Sequence, residues 1–475
     1  MTAIRLHLLD MRAYERPVTL RLPFRFGVVT LREAPQLFVR ARVRMADGRE
    51  GEGMAAELLV PKWFDKSPDL ANEQNFDQLR RSFAIAQRHA MAVGEQTAFG
   101  ITAEANAAHR AECSRAGLNG LVASFGQALT ERAILDALGR LEGVSAAALV
   151  RDNRLGMTTV LTPDLEGFDL GGFLSTRHVA DKIAARHTVG LVDAITRAET
   201  AGKRLDDGLP ESLEEVIAVY GQRYFKLKVG GKVDDDIERL AQIAAVLDRD
   251  AGDYKATLDG NEQYENVDAV LALWRRMGED RRLARLKASL LLIEQPIARA
   301  EALSKPVHPL AKDIPVEIDE SDSDFDIFPR ARALGYNGIS SKSCKGFYRA
   351  LLNSARVAHY GAQGGHFVMS AEDLTTQGGV AVQQDLVLAS LVGATHVERN
   401  GHHYVDGMAG APQAEQDAFL AAHGDLYSRA ANGRARLSIK GGDISLRTIA
   451  QAAGLGAAAA PDWSTMMPSR ALTIA

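Results

Sequence analysis

The amino-acid sequence predicts an α/β fold built on a closed barrel of parallel strands, and three observations carry that prediction. Short apolar runs recur in the second half of the chain, each ending in a carboxylate or a lysine: Tyr224-Phe-Lys-Leu-Lys-Val229, Thr257-Leu-Asp-Gly-Asn261, Leu291-Leu-Ile-Glu-Gln-Pro296, Val316-Glu-Ile-Asp-Glu320 and Gly338-Ile-Ser-Ser-Lys342. Their spacing is roughly 23 to 35 residues, the length of one strand, one helix and two loops. Helical patterns fill the intervals. Strands joined in this way run parallel, and closing them into a barrel gathers their C-terminal ends on the face that carries chemistry.

Each element has its own justification. Near the N-terminus, Leu37 to Arg44 alternates apolar and basic residues, Asp47-Gly48 reads as a hairpin turn, and Gly51 to Met54 resumes the strand. Phe76 to Gly94 reads as helical. After Lys228, Gly230-Gly231 breaks the strand, and Asp234, Asp235 and Asp236 stand where a helix N-terminus favours negative charge. Ile237, Leu240, Ile243, Ala244 and Leu247 then form one apolar stripe for a barrel wall. Similar stripes occupy Val267 to Met277 and Tyr348 to Tyr360, and Leu386, Leu388 and Val392 mark another. His366 to Ser370 and the segment around Val397 are further strands, and Ala457 to Ala460 before Pro461 reads as a flexible stretch.

The residues at the strand ends suggest a site. Alternation sends Lys226 and Lys228 to one face. Two ammonium groups so close in a partly desolvated site are expected to lower a lysine pKa toward that of a general base. Asp259, Glu294 and Asp319 end three successive strands, and three anions at a barrel mouth repel unless a cation sits among them. The donors are all oxygen, while the cysteines and histidines lie elsewhere, so Mg²⁺ is expected over Zn²⁺, with Mn²⁺ as a substitute. Three monodentate ligands leave positions open for water or a substrate carboxylate. Lys342 ends the strand after Asp319 and would face the lysine pair across the mouth, so a carboxylate bound between them could lose or gain an α-proton on either face. Cys344 reads as a small buried residue. His366 sits at the wrong end of its strand for a base, which would stand near Ser370 or Glu372. For His396, His402 and His403, loop solvation is a sufficient account.

Taken in order, the Lys-x-Lys at Lys226 and Lys228, Asp259 in Leu-Asp-Gly-Asn, Glu294 in Glu-Gln-Pro, Asp319 in Asp-Glu-Ser and Lys342 resemble the enolase superfamily, and within it the muconate-lactonizing-enzyme subgroup. The resemblance implies a (β/α)7β TIM-like barrel with an N-terminal α+β capping domain. The capping domain with an insertion would span residues 1–184, the barrel 185–405, and a C-terminal segment packing back on the cap 406–475. It makes Lys228 the base on one face and Lys342 the acid or base on the other. Lys226 would hold a substrate carboxylate oxygen or tune Lys228. Asp259, Glu294 and Asp319 become the metal ligands, and Asn261 and Glu320 hold ligands and lysines in place. Glu320 is the alternative ligand to Asp319, because neighbouring residues point opposite ways.

The same resemblance brings cap loops at Pro23 to Thr30 and Leu59 to Phe64 over the site, with Arg25, Phe26, Lys62 and Trp63 facing substrate. At the eighth strand, dipeptide epimerases of the family carry Asp-x-Asp, whereas this chain has Val397-Glu-Arg-Asn400. Glu398 is therefore expected to meet a cationic or hydroxylated substrate. The implied reaction is a racemisation, epimerisation or cycloisomerisation, with syn-dehydration of a hydroxy acid as the alternative. Two readings of other classes are a Schiff-base aldolase using Lys228 or Lys342 and a barrel that has lost turnover. The family also implies a homo-oligomer.

A net charge of -5 argues against a nucleic-acid partner. Met1 to Arg12 places charges among its apolar residues, so neither a signal peptide nor a membrane span is expected, and the expected setting is cytoplasmic. Cys113 and Cys344 are too few for a disulfide framework.

Overall fold

A computed structural model describes residues 3–26 and 29–470 of the protein. The chain opens with three antiparallel strands, β1 (Arg5–Phe26), β2 (Val29–Met45) and β3 (Glu50–Leu58), and Met467–Pro468 from the far end of the chain pairs with β1 at Tyr14 and Glu15. The alternation read from the sequence is realised: Leu37, Val39, Ala41 and Val43 are buried on one face of β2, while Arg42 and Arg44 stand in solvent on the other. Helices α1 (Asn72–Ala92), α2 (Ala98–Arg115) and α3 (Gly120–Glu142) follow.

Helix α3 is buried nearly all round, as a helix does when it lies between two layers. It rests on β3, where a Cβ on Gly53 would fall 2.1 Å from the Ala137 nitrogen and 2.3 Å from the Ala133 oxygen. Only glycine fits there. Its other side meets the barrel: Glu131 accepts the Phe347 amide at 2.8 Å and so caps the N-terminus of the Phe347–Ala362 helix. Arg132, fully buried, donates to Glu57 of β3 and to Gln384, each at 3.1 Å. Asp136 accepts from the amides of Met54 at 3.0 Å and Leu455 at 2.7 Å. The tail therefore packs on this helix. Ala457, in the stretch expected to be flexible, is fully buried with its carbonyl bound to Arg140, which corrects that expectation.

Eight parallel strands form the barrel wall: Lys182–Val189, Tyr224–Lys228, Lys255–Asp259, Leu290–Glu294, Val316–Ile318, Gly338–Ser341, Val368–Ala371 and His396–Arg399. Each pairs with the next through the seventh, and the eighth pairs with the first. The predicted stripes form the outer helices Val233–Asp250, Val267–Glu279, Phe347–Ala362 and Val380–Leu391. Ile237, Leu240, Ile243, Ala244 and Leu247 are buried, each large one contributing roughly 1.5–3 kcal/mol. Asp236 does more than oppose a helix dipole. Its carboxylate accepts the Gly230 and Gly231 amides at 2.6 and 3.0 Å, pinning the loop that leaves Lys228.

Two outcomes follow from this packing. Gly53→Val should lower stability by about 1–3 kcal/mol or more, read as an earlier chemical-unfolding midpoint; an unchanged midpoint would refute the close approach. Burial pushes the Glu57 carboxyl up from 4.5 to about 7, so the folded chain keeps a proton that the unfolded chain has already lost. Stability from this group is thus lost as pH rises from about 4.5 to 7, by at most about 1.4 kcal/mol per pH unit. Glu57→Gln should flatten that slope when unfolding midpoints at pH 5 and pH 7 are compared.

Candidate active site

Strand alternation aims the odd or even residues of each barrel strand inward, and in this barrel those residues are charged. Arg186 and Thr188 come from the first strand, Lys226 and Lys228 from the second, Asp259 and Glu294 from the ends of the third and fourth, and Glu317 from the fifth. Asp319, Lys342 and Glu372 follow the fifth, sixth and seventh strands, and Glu398 lies on the eighth. All are buried.

Lys226 lies at the centre. Its Nζ donates to Glu294 at 2.9 Å, Glu372 at 2.6 Å and Glu398 at 3.1 Å, and lies 2.9 Å from Asp259. Burial alone would lower its pKa, but Asp259, Glu294, Glu372 and Glu398 outweigh that and hold it well above the ordinary value. The expectation that crowded lysines depress one another is thereby corrected for Lys226: carboxylates separate the ammonium groups, and opposite charge dominates. Lys228 bonds to Asp259. Across the mouth, Lys342 donates to Asp319 at 2.7 Å, and this carboxylate raises its pKa against the effect of burial.

Asp319 is held from several directions. Lys345, which the sequence reading passed over, donates to it at 3.0 Å, and Ser340 donates at 2.6 Å. Gln295 of the Glu-Gln-Pro turn accepts the Asp319 amide at 2.9 Å, which fixes the loop. Burial favours the neutral form of Asp319, yet Lys342 and Lys345 overcome it and keep the carboxyl well below its ordinary range. Asn261 donates to Glu320 at 3.1 Å, and its own amide binds Asp259 at 2.8 Å.

Below the mouth, Glu294, Glu317 and Glu372 offer one oxygen each within 4.8 Å of one another, the one such acidic trio among the described residues. The predicted trio of Asp259, Glu294 and Asp319 shares only Glu294 with it. Burial, then repulsion from Asp259 and Glu372, raises the Glu294 carboxyl well above its usual range. Glu317 is pushed to about 8 by burial and Glu372, and Glu320 to about 7 by burial and Asp319. Glu317 follows from the strand pattern, since it precedes Asp319 by two and shares its face. Arg186 left no comparable signal, because Lys182–Val189 interrupts its apolar residues with Arg186-His187-Thr188 and ends in no carboxylate or lysine.

The cap closes the mouth. Phe24, Phe26, Val60 and Trp63 line a pocket of about 340 Å³, counted to its open rim, together with Lys226, Lys228, Lys342, Glu398 and Asn400. Trp63 places its ring 5.0 Å from Lys342 Nζ. Arg299 of the barrel holds the Trp63 and Phe64 carbonyls at 2.8 and 3.1 Å. Arg25, expected at the substrate, is exposed on the opposite face of β1, with Phe24 and Phe26 inward instead; residues 27 and 28 of that loop lie outside the described residues. Lys62 turns away to the Ser67 carbonyl at 2.6 Å. His366 is exposed and precedes its strand, as expected. His402 and His403 are buried, not solvated: His402 meets His187 at 3.2 Å, and burial holds both well below their ordinary pKa. His396 accepts from Arg186 at 3.1 Å, and burial with that charge pulls it down to about 3. Cys344 is buried.

Fold and site thus define a parallel β/α barrel with a capped, buried centre of lysines and carboxylates at its C-terminal mouth. Residues 208–422 match the family model described as Enolase C-terminal domain-like, a segment that runs from ahead of the second barrel strand past the eighth, in agreement with the resemblance read from the strand ends. No curated protein matches the chain. Solved structures share its fold end to end. An enolase from Bradyrhizobium, complexed with magnesium and mandelic acid, is 17% identical with a TM-score of 0.60, over 98% of each chain. A muconate lactonizing enzyme from Mucobacterium smegmatis, complexed with muconolactone, is 18% identical with a TM-score of 0.58, over 96% of this chain and 98% of that one. A dipeptide epimerase from Enterococcus faecalis V583, complexed with Mg and L-Leu-L-Tyr, is 14% identical with a TM-score of 0.59, over 95% and 99%. Among the described residues no helix is long and apolar enough to cross a membrane.

Proposed function

We propose that the protein is a Mg²⁺-dependent enzyme that removes the α-proton of a carboxylate substrate and returns a proton to the resulting enediolate, as a racemase, epimerase or cycloisomerase. The observation that carries this reading is the placement of Lys228 and Lys342 in one buried pocket, each paired to a different carboxylate, Asp259 and Asp319. Two ammonium groups on separate supports can address two faces of one carbon. Dehydration of a hydroxy acid would begin with the same step.

The donor set fits a hard divalent cation. Every candidate ligand is an oxygen, and Glu317 Oε2, Glu320 Oε2 and Asn261 Oδ1 are buried with no hydrogen-bond partner. The raised carboxyls of Glu294, Glu317 and Glu320 mark a site with more negative charge than its lysines balance. Asp259, Glu294 and Asp319 would hold the ion. Glu372 is already engaged by Arg186 and Lys226, so the deeper trio supports the site from below. When bound, a divalent cation supplies positive charge beside the substrate carboxylate and the developing enediolate. The chain's own part is distinct. Were Asp319 to give an oxygen to a cation, Lys342 would lose that partner and its pKa would fall toward that of a working base. Lys226 stays fixed among Glu294, Glu372 and Glu398 and holds their orientation. Trp63 and Phe26 keep bulk water off the lysines.

Incubation with Mg²⁺ and a set of carboxylic acids in D₂O should give α-proton exchange in at least one acid. Lys228→Ala and Lys342→Ala should each slow it by about 10²–10⁴-fold, and exchange surviving the double variant would sink the two-lysine mechanism. Magnesium alone should raise the thermal midpoint, reaching about 2.7 kcal/mol of stabilisation at a hundredfold excess over Kd. Glu294→Gln should remove that shift, and an equal shift in the variant would rule Glu294 out as a ligand.

A further inference from the structure

The pocket also selects among carboxylates, an inference that rests on the proposed chemistry of the site. Its cap side is apolar, formed by Phe24, Phe26, Val60, Trp63 and Leu374. Its cations are three lysines, and no arginine lines it among the described residues. Lys226 is spent on four carboxylates, and Lys228 and Lys342 are the acid/base pair, so a second substrate carboxylate finds no counterion.

The anions are equally engaged. Glu398 accepts from Thr188 at 2.6 Å and Asn400 at 3.1 Å through one oxygen, and from Lys226 and the Asp373 amide, both at 3.1 Å, through the other. Asp373 accepts from the Thr376 amide and hydroxyl at 2.9 and 2.7 Å and from the Asn400 amide at 2.7 Å. At Glu398, with two donors on each oxygen, a substrate ammonium would have to displace one of them. Glu398 is therefore a support, and the expected contact with a cationic substrate is not available.

Two amide acceptors of the lining have no partner, Asn261 Oδ1, counted above with the oxygen donors for a cation, and Asn400 Oδ1. Asn400 is 2% exposed and lines the pocket; its amide nitrogen must face Glu398, because a carboxylate only accepts, and its Oδ1 has no partner. A buried unpaired acceptor seeks a donor.

We infer that the substrate is a monocarboxylate with a compact apolar body, uncharged apart from its carboxylate, and bearing one hydroxyl or amide N–H that donates to Asn400 Oδ1. Dicarboxylates and free amino acids are excluded by the same pocket.

Four acids on one phenyl frame test this in magnesium buffer by calorimetric binding: 2-hydroxy-3-phenylpropanoate, its 2-methoxy ether, phenylalanine and benzylsuccinate. The hydroxy acid should bind about tenfold or more tighter than the other three. In Asn400→Leu its advantage over the methoxy ether should vanish, and Asn400→Ser, which keeps an acceptor, should retain part of it. Equal or tighter binding of phenylalanine or benzylsuccinate, no advantage for the hydroxy acid, an advantage that survives in Asn400→Leu, or binding of none of the four would overturn the inference. Binding of the hydroxy acid without α-proton exchange in D₂O would instead overturn the proposed reaction and leave the selectivity standing.

Discussion

The rest of the structure depends on one buried ammonium. Isolated in a protein interior, the Lys226 charge would be unfavourable by several kcal/mol, and it is tolerated because carboxylates from the third, fourth, seventh and eighth strands surround it. The converse holds as strongly. Glu294, Glu372 and Glu398 could not share one small volume without it. Lys226 also works at the seam. The strand ladder runs from the eighth strand through the first to the seventh, with no ladder between seventh and eighth among the described residues. There Lys226 joins Glu372 to Glu398, Arg186 reaches the Ala371 carbonyl and His396, and the Asp373 amide binds Glu398. Side-chain charge closes the barrel where backbone hydrogen bonds do not.

The cap is bound to this centre by the same means. Glu57 of β3 lies between Arg132 of α3 and Ser343, the residue after Lys342; Ser343 continues to Asp385, and Asp385 to Arg399 between Glu398 and Asn400. Burial raises both carboxyls that meet Ser343, Glu57 to about 7. On the opposite side, Arg299 and Lys66 hold the Trp63 loop to the barrel. Cap and barrel centre are thus joined by a polar network as well as by a shared apolar core.

How much of this was legible in the sequence depends on whether a residue's partners lie within one strand or across several. Strand ends at Lys228, Asp259, Glu294, Asp319 and Lys342 could be read because apolar alternation is local, and the structure puts each at or just past a strand terminus. The first strand was obscure, since Arg186, His187 and Thr188 owe their burial to partners on distant strands. Arg25 was read as part of a loop, whereas it lies in β1, where alternation sends it to the face opposite Phe24 and Phe26. His402 and His403 looked like loop residues, and their burial against His187 and Tyr220 is a tertiary fact without local pattern. The expected lowering at Lys226 failed for the same reason. From the sequence, the nearest known charge to Lys226 is Lys228; in three dimensions, the nearest charges are four carboxylates.

That reversal bears on how such a site can be both stable and reactive. Excess carboxylate destabilises the barrel unless cations balance it, and in this chain the lysines supply part of that balance while burial and mutual repulsion raise the carboxyls of Glu294, Glu317 and Glu320. A lysine that neutralises a carboxylate is a poor base, because the partner that stabilises its charge also raises its pKa. Folding and chemistry therefore make opposite demands on Lys342. Both demands are met if the counter-charge is exchangeable. Lys226, fixed by three inward glutamates, would keep the wall intact were Asp319 to accept another cation, and under the proposed chemistry Lys342 could then give up its partner without loosening the barrel.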